Sequence, residues 1–555
     1  MHTKLHVLLV GTACALLPLS AQARLDFLGG VELVGGGEIV SYDAASGSLL
    51  TTVSSGASHQ VGIYSLGGDG QLSGYRTVEL SGLFGPDGSS TFNLSSVAAD
   101  PLGRGFGVAS LIPADRENTV GKVALFNIST GALIQSVDVG YHPDSVSFTP
   151  DGSRLLVANE GEFISTTATQ RAGSVSVVNL GGATLGSLGS LNNSAVTDVN
   201  FSTSLASGVT LTGVRNARLD TLLAKSPDAL DVEPEYVAAN NDRAYVSLQE
   251  GSAIAVIDLT GANANQVTAI HKLDAINVTT DASDRGETAL NDTVKGLPMP
   301  DTLAIFEKGG STYVVTANEG DARPDDGDVR RFSASPIDAT AGLTTGDNGL
   351  SRLNIIQDLG DTNLDGLIDD PVMLGTRSFS IVDGATGALV FDSGSMIEAY
   401  VLANDPALFN INKQQGTVQA RSDDKGPEPE AVAYGSIDGR DYVFVGAERQ
   451  NGIFMFDITD FGAVEIVDYI NLSTGSSLSA PGVDYVSPES LLFVQVGGKN
   501  LLIAGFEGEG TEFDGSIAVF EVTAAAIPEP SAFAALAGLG ALGVVATRRR
   551  GRGRV

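Results

Sequence analysis

The chain has 555 residues, 66 of them acidic against 32 basic, for a formal net charge of −34. So acidic a chain repels phosphate backbones and weighs against a nucleic-acid partner. Its 43% hydrophobic content supplies a sizeable core and excludes a disordered polyanion. Length alone suggests three or four domains, a prior that repeat folds override.

Residues 1–23 read as a secretory signal peptide. Lys4 precedes an apolar run at 5–19, and Ala21-Gln22-Ala23 forms a small-x-small cleavage box. The single cysteine, Cys14, lies in this segment, so the remaining chain has no thiol for a disulfide. Beyond it stand only three histidines, His59, His142 and His271, with no His-x-x-x-His spacing for a zinc hydrolase.

A short signature then recurs: an acid, any residue, and Val or Leu opening a strand. It starts at Glu38, Asp144, Glu235, Asp301, Glu430 and Glu489, with a copy lacking the acid at Ser95. Each copy continues into short strands joined by Gly/Asp turns, such as Asp151-Gly152 and Asp438-Gly439, where glycine supplies positive φ. Helical periodicity is poor throughout. The fold class predicted is all-β: seven four-stranded units closing into a seven-bladed β-propeller over residues 24–527. A sandwich or solenoid would use the same strands. The starts are 57, 49, 91, 66, 129 and 59 residues apart, so the third and fifth units carry insertions, placed near 163–230 and 323–425. A short helix is expected at 217–224.

The acids also pair. Asp144 with Glu160, Glu235 with Glu250, Asp301 with Glu319, Glu430 with Glu448, and Glu489 with Glu507 stand 15–18 residues apart, at the start of one strand and the end of the next. Antiparallel neighbours bring such positions together, and innermost strands carry them into a central acidic funnel. Crowded carboxylates raise one another's pKa or recruit Ca²⁺ or Mg²⁺. Solvated strand edges are the alternative. Arg323 and Arg449 follow two of the glutamates and either neutralise the ring or hold a phosphate.

Within the second insertion, DTNLDGLID at 361–369 offers Asp361, Asn363, Asp365, the Leu367 carbonyl and Asp369 in the order of an EF-hand-like calcium loop. The twelfth position is Val372 rather than glutamate, and an Asp/Gly-rich turn is the other reading. The chain ends with Pro528-Glu529-Pro530, an apolar run at 531–547 long enough to cross a bilayer, and Arg548, Arg549, Arg550, Arg552 and Arg554. Loss of Lys4 and these five arginines takes the net charge from −34 to about −40.

That tripartite ending at 528–555 resembles the PEP-CTERM sorting signal, which implies recognition and cleavage by an exosortase in a Gram-negative bacterium. The stretches YVVTANEGDAR (313–323), GPEPEAVAYG (426–435), YVFVGAERQNGIFMFDI (442–458) and SPESLLFV (487–494) resemble the choice-of-anchor I family of exported propellers, related to YVTN and WD40-like repeats. The resemblance spans about 36–522 and implies the fold rather than a settled activity.

The expected protein is an exported, calcium-stabilised binding module of the cell surface or extracellular matrix. It meets signal peptidase and exosortase during export, with exopolysaccharide or surface proteins as partners. It passes from an inner-membrane-tethered precursor to the periplasm, outer surface or matrix, touching membrane only through its C-terminal segment. The alternative is a metal-dependent phosphohydrolase, alkaline phosphatase- or phytase-like, with Glu319, Glu448, Arg323 and Arg449 at the centre of the funnel.

Overall fold

The computed structural model describes residues 22–525 apart from 34, 56–57, 81, 85–91, 162, 165–168, 216–231, 323–327, 344, 347–348, 414–416, 474–482 and 509–512. Nearly all of the signal segment, the helix expected at 217–224, Arg323 and the ending with Pro528, Glu529, Pro530 and 531–547 lie outside the described residues. Among the described residues no helix is long and apolar enough to cross a membrane.

Alternating Val, Leu, Ile and Phe with short Gly/Asp turns yields seven four-stranded antiparallel sheets among the described residues. Their innermost strands are Val40–Asp43, Phe92–Ala99, Pro143–Phe148, Pro234–Ala239, Leu303–Lys308, Pro429–Ile437 and Pro488–Val496, taken here as blades 1 to 7. Each inner strand touches the next, and that of blade 7 touches that of blade 1. The ring is therefore closed. In blade 6 both turn residues, Asp438 and Gly439, have positive φ, the geometry of a two-residue hairpin whose twist matches its strands.

Closure has a covalent logic as well. The outer strand of blade 7 is not its own continuation but Arg24–Glu32, paired antiparallel with Ser516–Thr523. The two ends of the described chain thus lie in one sheet. Hydroxyls on the inner strands tie neighbours together. Ser41 Oγ accepts from the Ala99 amide at 2.9 Å, Ser145 Oγ from Val237 at 3.1 Å, and Ser490 Oγ donates to the Glu38 carbonyl at 2.5 Å. Thr302 Oγ1 likewise donates to the Glu430 carbonyl.

The core sits between blades rather than within them. Leu156, Val175, Val237 and Val246 fill the space between blades 3 and 4, and Val315, Phe379, Val443 and Phe454 that between blades 5 and 6. Every blade interface carries such a cluster. At about 25 cal/mol per Å² of apolar surface buried, these clusters dominate the stability.

The stretch 163–230 is divided: it contains a small hairpin, Phe163–Ile164 with Thr169–Gln170, but also the third and fourth strands of blade 3, Ser174–Asn179 and Val196–Asn200. Blade 5 is likewise interrupted between Ser311–Asn318 and Ser378–Asp383, and a further connection at 393–428, containing the helix Met396–Asn404, leads to blade 6. A second strand pair, Ile276–Thr280 with Asp292–Leu297, precedes blade 5 and is joined in parallel by Val372–Leu374. Phe332, Leu353, Ile355 and Met373 give these excursions a core of their own.

One fully buried ion pair fastens them. Arg377 donates to Glu398 Oε1 at 2.9 Å, to Thr280 Oγ1 at 2.5 Å and to the carbonyls of Asp281, Ser422 and Asp424. Glu398 also accepts from Asn410 at 2.7 Å. Removing one partner of such a pair strands the other charge, so Arg377→Met is expected to cost about 3–5 kcal/mol in denaturant unfolding. The double variant Arg377→Met/Glu398→Leu should lose less than the single one.

Candidate functional site

The residues opening the inner strands share a local device. Asp144, Glu235, Asp301, Glu430 and Glu489 each follow a proline: Pro143, Pro234, Pro300, Pro429 and Pro488. Proline has no N–H for the ladder. In blades 3, 4, 6 and 7 the pairing register shifts at this point, a bulge that releases the acid from the sheet. His142, Glu428 and Ser487, just before three of these prolines, are held at positive φ. Their carbonyls accept from the amides of Glu160, Glu448 and Glu507 at 2.7–2.9 Å. That fixes the closing glutamate opposite the opening acid.

A cavity of about 380 Å³ at this mouth of the channel is lined by Glu38, Asp144, Asp301, Glu319, Asp321, Glu430, Glu448, Glu489 and Glu507, with Tyr236, Gln249, Lys425 and Arg449. Seven of the ten predicted funnel acids line it. The other three, Glu160, Glu235 and Glu250, lie in the same electrostatic crowd, since Glu235 is pushed well above the usual range by burial and by Glu160, Glu250, Asp144 and Asp301. Glu160 is also paired with His142 at 2.7 Å. Carboxylate oxygens of Asp301, Glu319 and Glu430 come within 4.8 Å of one another, as do those of Glu319, Glu428 and Glu448, and of Glu430, Glu448 and Glu489.

Loss of hydration governs how these groups titrate. Burial, with Glu507 and Asp144 nearby, pushes Glu38 up to about 8, and burial with Glu160 pushes Asp144 up to about 7. Glu319 is raised to about 8 by burial even though Lys425 opposes it. Burial and neighbouring carboxyls raise Asp301, Glu430 and Glu489 well above the ordinary range.

Glu428 behaves in the opposite way. Burial works against its charge, yet Lys425, Arg421 and Arg449 hold it down to about 2. It is fully buried, with Lys425 Nζ at 2.9 Å, Arg421 Nε at 2.8 Å and Arg449 Nε at 3.4 Å. Lys425 also reaches Glu319 at 2.5 Å, and Lys413 lies 3.4 Å from both Glu448 and Glu507. Arg449 is held by Glu448 at 3.1 Å as well, so both of its partners are internal carboxylates.

Glu428, Lys425, Lys413 and Arg421 were not among the residues read from the sequence as funnel members. The three cations come from the connection at 393–428, whose chain spacing says nothing about the blades. The proline before each of five opening acids is a signal visible in the sequence.

None of the residues 361–369 lines this cavity. Asp361 accepts from the amides of Asp365 and Gly366 at 3.1 and 2.8 Å, Asn363 from Asp365 at 2.9 Å, and Asp365 from Leu367 at 2.9 Å. Asp369 accepts from the Thr362 amide and hydroxyl at 3.1 and 2.7 Å.

A carboxyl whose folded pKa exceeds its unfolded value stabilises the fold in its protonated form. That contribution is complete below the unfolded pKa and is lost as pH rises through the folded one. Glu38, facing Glu507 and Asp144, and Asp144, facing Glu160 and His142, place the loss between about pH 4.5 and 8. At about 1.4 kcal/mol per tenfold change in proton affinity, the two should lower stability by several kcal/mol across this interval. In chelator, the melting temperature is expected to fall from pH 5 to pH 8.5, and Glu38→Gln should flatten the slope. A melting temperature that climbs across this interval would contradict the crowded-acid description.

Two curated relatives match part of the chain. A mesenchyme-specific cell surface glycoprotein of Strongylocentrotus purpuratus is 25% identical over 213 residues, 30% of this chain and 26% of that protein. Gigasin-3a of Magallana gigas is 36% identical over 97 residues, 17% of this chain and 34% of that protein. The chain thus spans about a quarter to a third of the length of these relatives. Among solved structures, Kuenenia stuttgartiensis hydrazine synthase aligns at 11% identity and a TM-score of 0.42, covering 86% of this chain and 94% of that one. The WD40 β-propeller domain of Doa1 aligns at 8% and 0.40, covering 92% and 98%. The PEP-CTERM protein-sorting motif matches residues 526–550 and implies exosortase-mediated sorting of an exported, surface-directed protein. The choice-of-anchor I domain matches residues 38–461, most of the chain, and to that family the chain belongs.

Proposed function

We propose that this propeller is a binding module of the cell surface or extracellular matrix, and that its acidic funnel receives a positively charged ligand. The observation that carries this is the imbalance at the channel mouth. Glu38, Asp144, Glu235, Asp301, Glu430 and Glu489 all resist ionisation there, while the charges supplied by Lys413, Arg421, Lys425 and Arg449 gather on Glu319, Glu428, Glu448 and Glu507. A cation from outside relieves what the protein leaves uncompensated. The sorting motif and a relative named as a cell surface glycoprotein support the surface location.

Retention of the exported protein on cells or matrix should weaken as salt is raised, and Glu430→Gln/Glu489→Gln should weaken it several-fold while the protein stays folded. Retention unaffected by either change would remove the funnel from the binding role. The competing phosphohydrolase reading needs metal-dependent phosphoester turnover that disappears in Glu319→Gln. Arg449, tied to Glu428 and Glu448, is poorly placed to release its guanidinium to a phosphate, and no such turnover is expected.

The second part of the proposal is calcium at Asp361, Asn363, Asp365, the Leu367 carbonyl and Asp369. The inward turn of the first three side chains supports it. At calcium a hundred- to a thousandfold above the dissociation constant, linkage adds about 3–4 kcal/mol. Chelation is therefore expected to lower the melting temperature, and Asp365→Ala to remove the contribution of this loop. Equal chelator-induced shifts in the wild type and Asp365→Ala would count against the loop.

A further inference from the structure

Among the funnel carboxyls, Asp301 stands out. Its residue surface is only 6% exposed, and its Oδ2 is buried with no hydrogen-bond partner. A buried carboxylate oxygen left without a donor is costly, and natural structures almost always supply one. Asp301 lines the funnel cavity, and one of its carboxylate oxygens lies within 4.8 Å of oxygens from Glu319 and Glu430.

The neighbours do not meet the need. Lys425 sits on Glu319 Oε1 at 2.5 Å and on Glu428 Oε2 at 2.9 Å, and Gln249 donates to Glu319 Oε2 at 3.0 Å. The Glu430 backbone carbonyl is taken by Thr302, but its carboxyl faces Glu489, Glu448 and Glu319, all acids. Three carboxyls therefore converge with one oxygen bare, and the fixed cation binds at the edge of the group.

We infer that Asp301, Glu319 and Glu430 form a calcium site at the mouth of the channel. The donors are all oxygen, which selects hard divalent cations over zinc or copper. Calcium–oxygen distances are about 2.3–2.6 Å, so ligands on opposite sides of the ion stand about 4.6–5.2 Å apart. Oxygens gathered within 4.8 Å fit inside that sphere. Water in the open cavity completes the coordination. Three carboxylates around one dication leave the site anionic, so Lys425 can remain on Glu319.

This site rests on the reading of the funnel as a receptor for positive charge and names the ligand. It is separate from the loop at 361–369, and the two are told apart by substitution. Calorimetric titration with calcium at pH 8, on the exported protein freed of metal, should show two binding events per chain. Asp301→Asn should remove one of them and Asp361→Asn the other. Asp301→Asn also exchanges a buried, unpartnered carboxylate for a neutral amide of the same shape. In chelator the variant should therefore melt at or above the wild-type temperature, and in saturating calcium below it. A merely structural role for Asp301 would produce no such crossover.

Equal calcium stoichiometry in wild type and Asp301→Asn overturns the site, whatever the surface-retention assay shows. Retention lost in Glu430→Gln/Glu489→Gln, with calcium binding at Asp301 absent, would leave the module reading standing and this inference rejected. Calcium bound at Asp301 without any effect on retention would do the reverse.

Discussion

Seven strands meeting around one axis leave very little room for their first residues. Where the inner strands of blades 3, 4, 6 and 7 enter the channel, proline and a register shift turn one side chain out of the sheet and into that space. In five blades the opening side chain is a carboxyl following proline, and in blade 1 Glu38 stands at the same mouth. The geometry that closes the ring therefore compels the crowding. Upward displacement of so many carboxyl pKa values follows from loss of hydration first and mutual repulsion second.

The scaffold repeats around the axis, but its electrostatics do not. The connection at 393–428 brings Lys413, Arg421 and Lys425 to the mouth, and with Arg449 they form ion pairs with Glu319, Glu428, Glu448 and Glu507. The result is visible in two nearby carboxyls. Glu428 is held down to about 2 by three cations, whereas Glu430, two residues on, is driven well above the ordinary range among acids. The Arg377–Glu398 pair supports this arrangement indirectly, because it also grips the carbonyls of Ser422 and Asp424 beside Lys425.

Much of this was legible in the sequence because it is local. Strand alternation, Gly/Asp turns and the recurring acid each depend on a few adjacent residues, and together they specify blades and the acids that open them. The pairs 15–18 residues apart follow from one antiparallel turn. What escaped the sequence is what closes over distance. Arg24–Glu32 completes the last blade with residues nearly 500 positions away, and no periodicity announces that partner. Glu428 looked like one more acid in GPEPE, while its three cations come from Arg421, Lys425 and Arg449. Their role arises from a fold in which a connection returns over the mouth. The unpartnered oxygen of Asp301 belongs to the same class, since a missing donor has no sequence signature.

Blade 2 separates two roles that coincide elsewhere. Its bulge position holds Ser95 instead of an acid, and the Ser95 hydroxyl donates to the Pro143 carbonyl of blade 3 at 2.6 Å. The next residue, Ser96, accepts from the Val146 amide of the same neighbour at 3.3 Å. At its bulge this blade reaches its neighbour through hydroxyls. An acid at the bulge is therefore unnecessary for closure, and in the other blades it lowers stability by forcing a carboxyl out of water. Ring geometry explains where those carboxyls point but not why they are carboxyls. In the proposed receptor a positively charged ligand accounts for their chemical identity, and the bare oxygen of Asp301 is where we propose that this ligand sits.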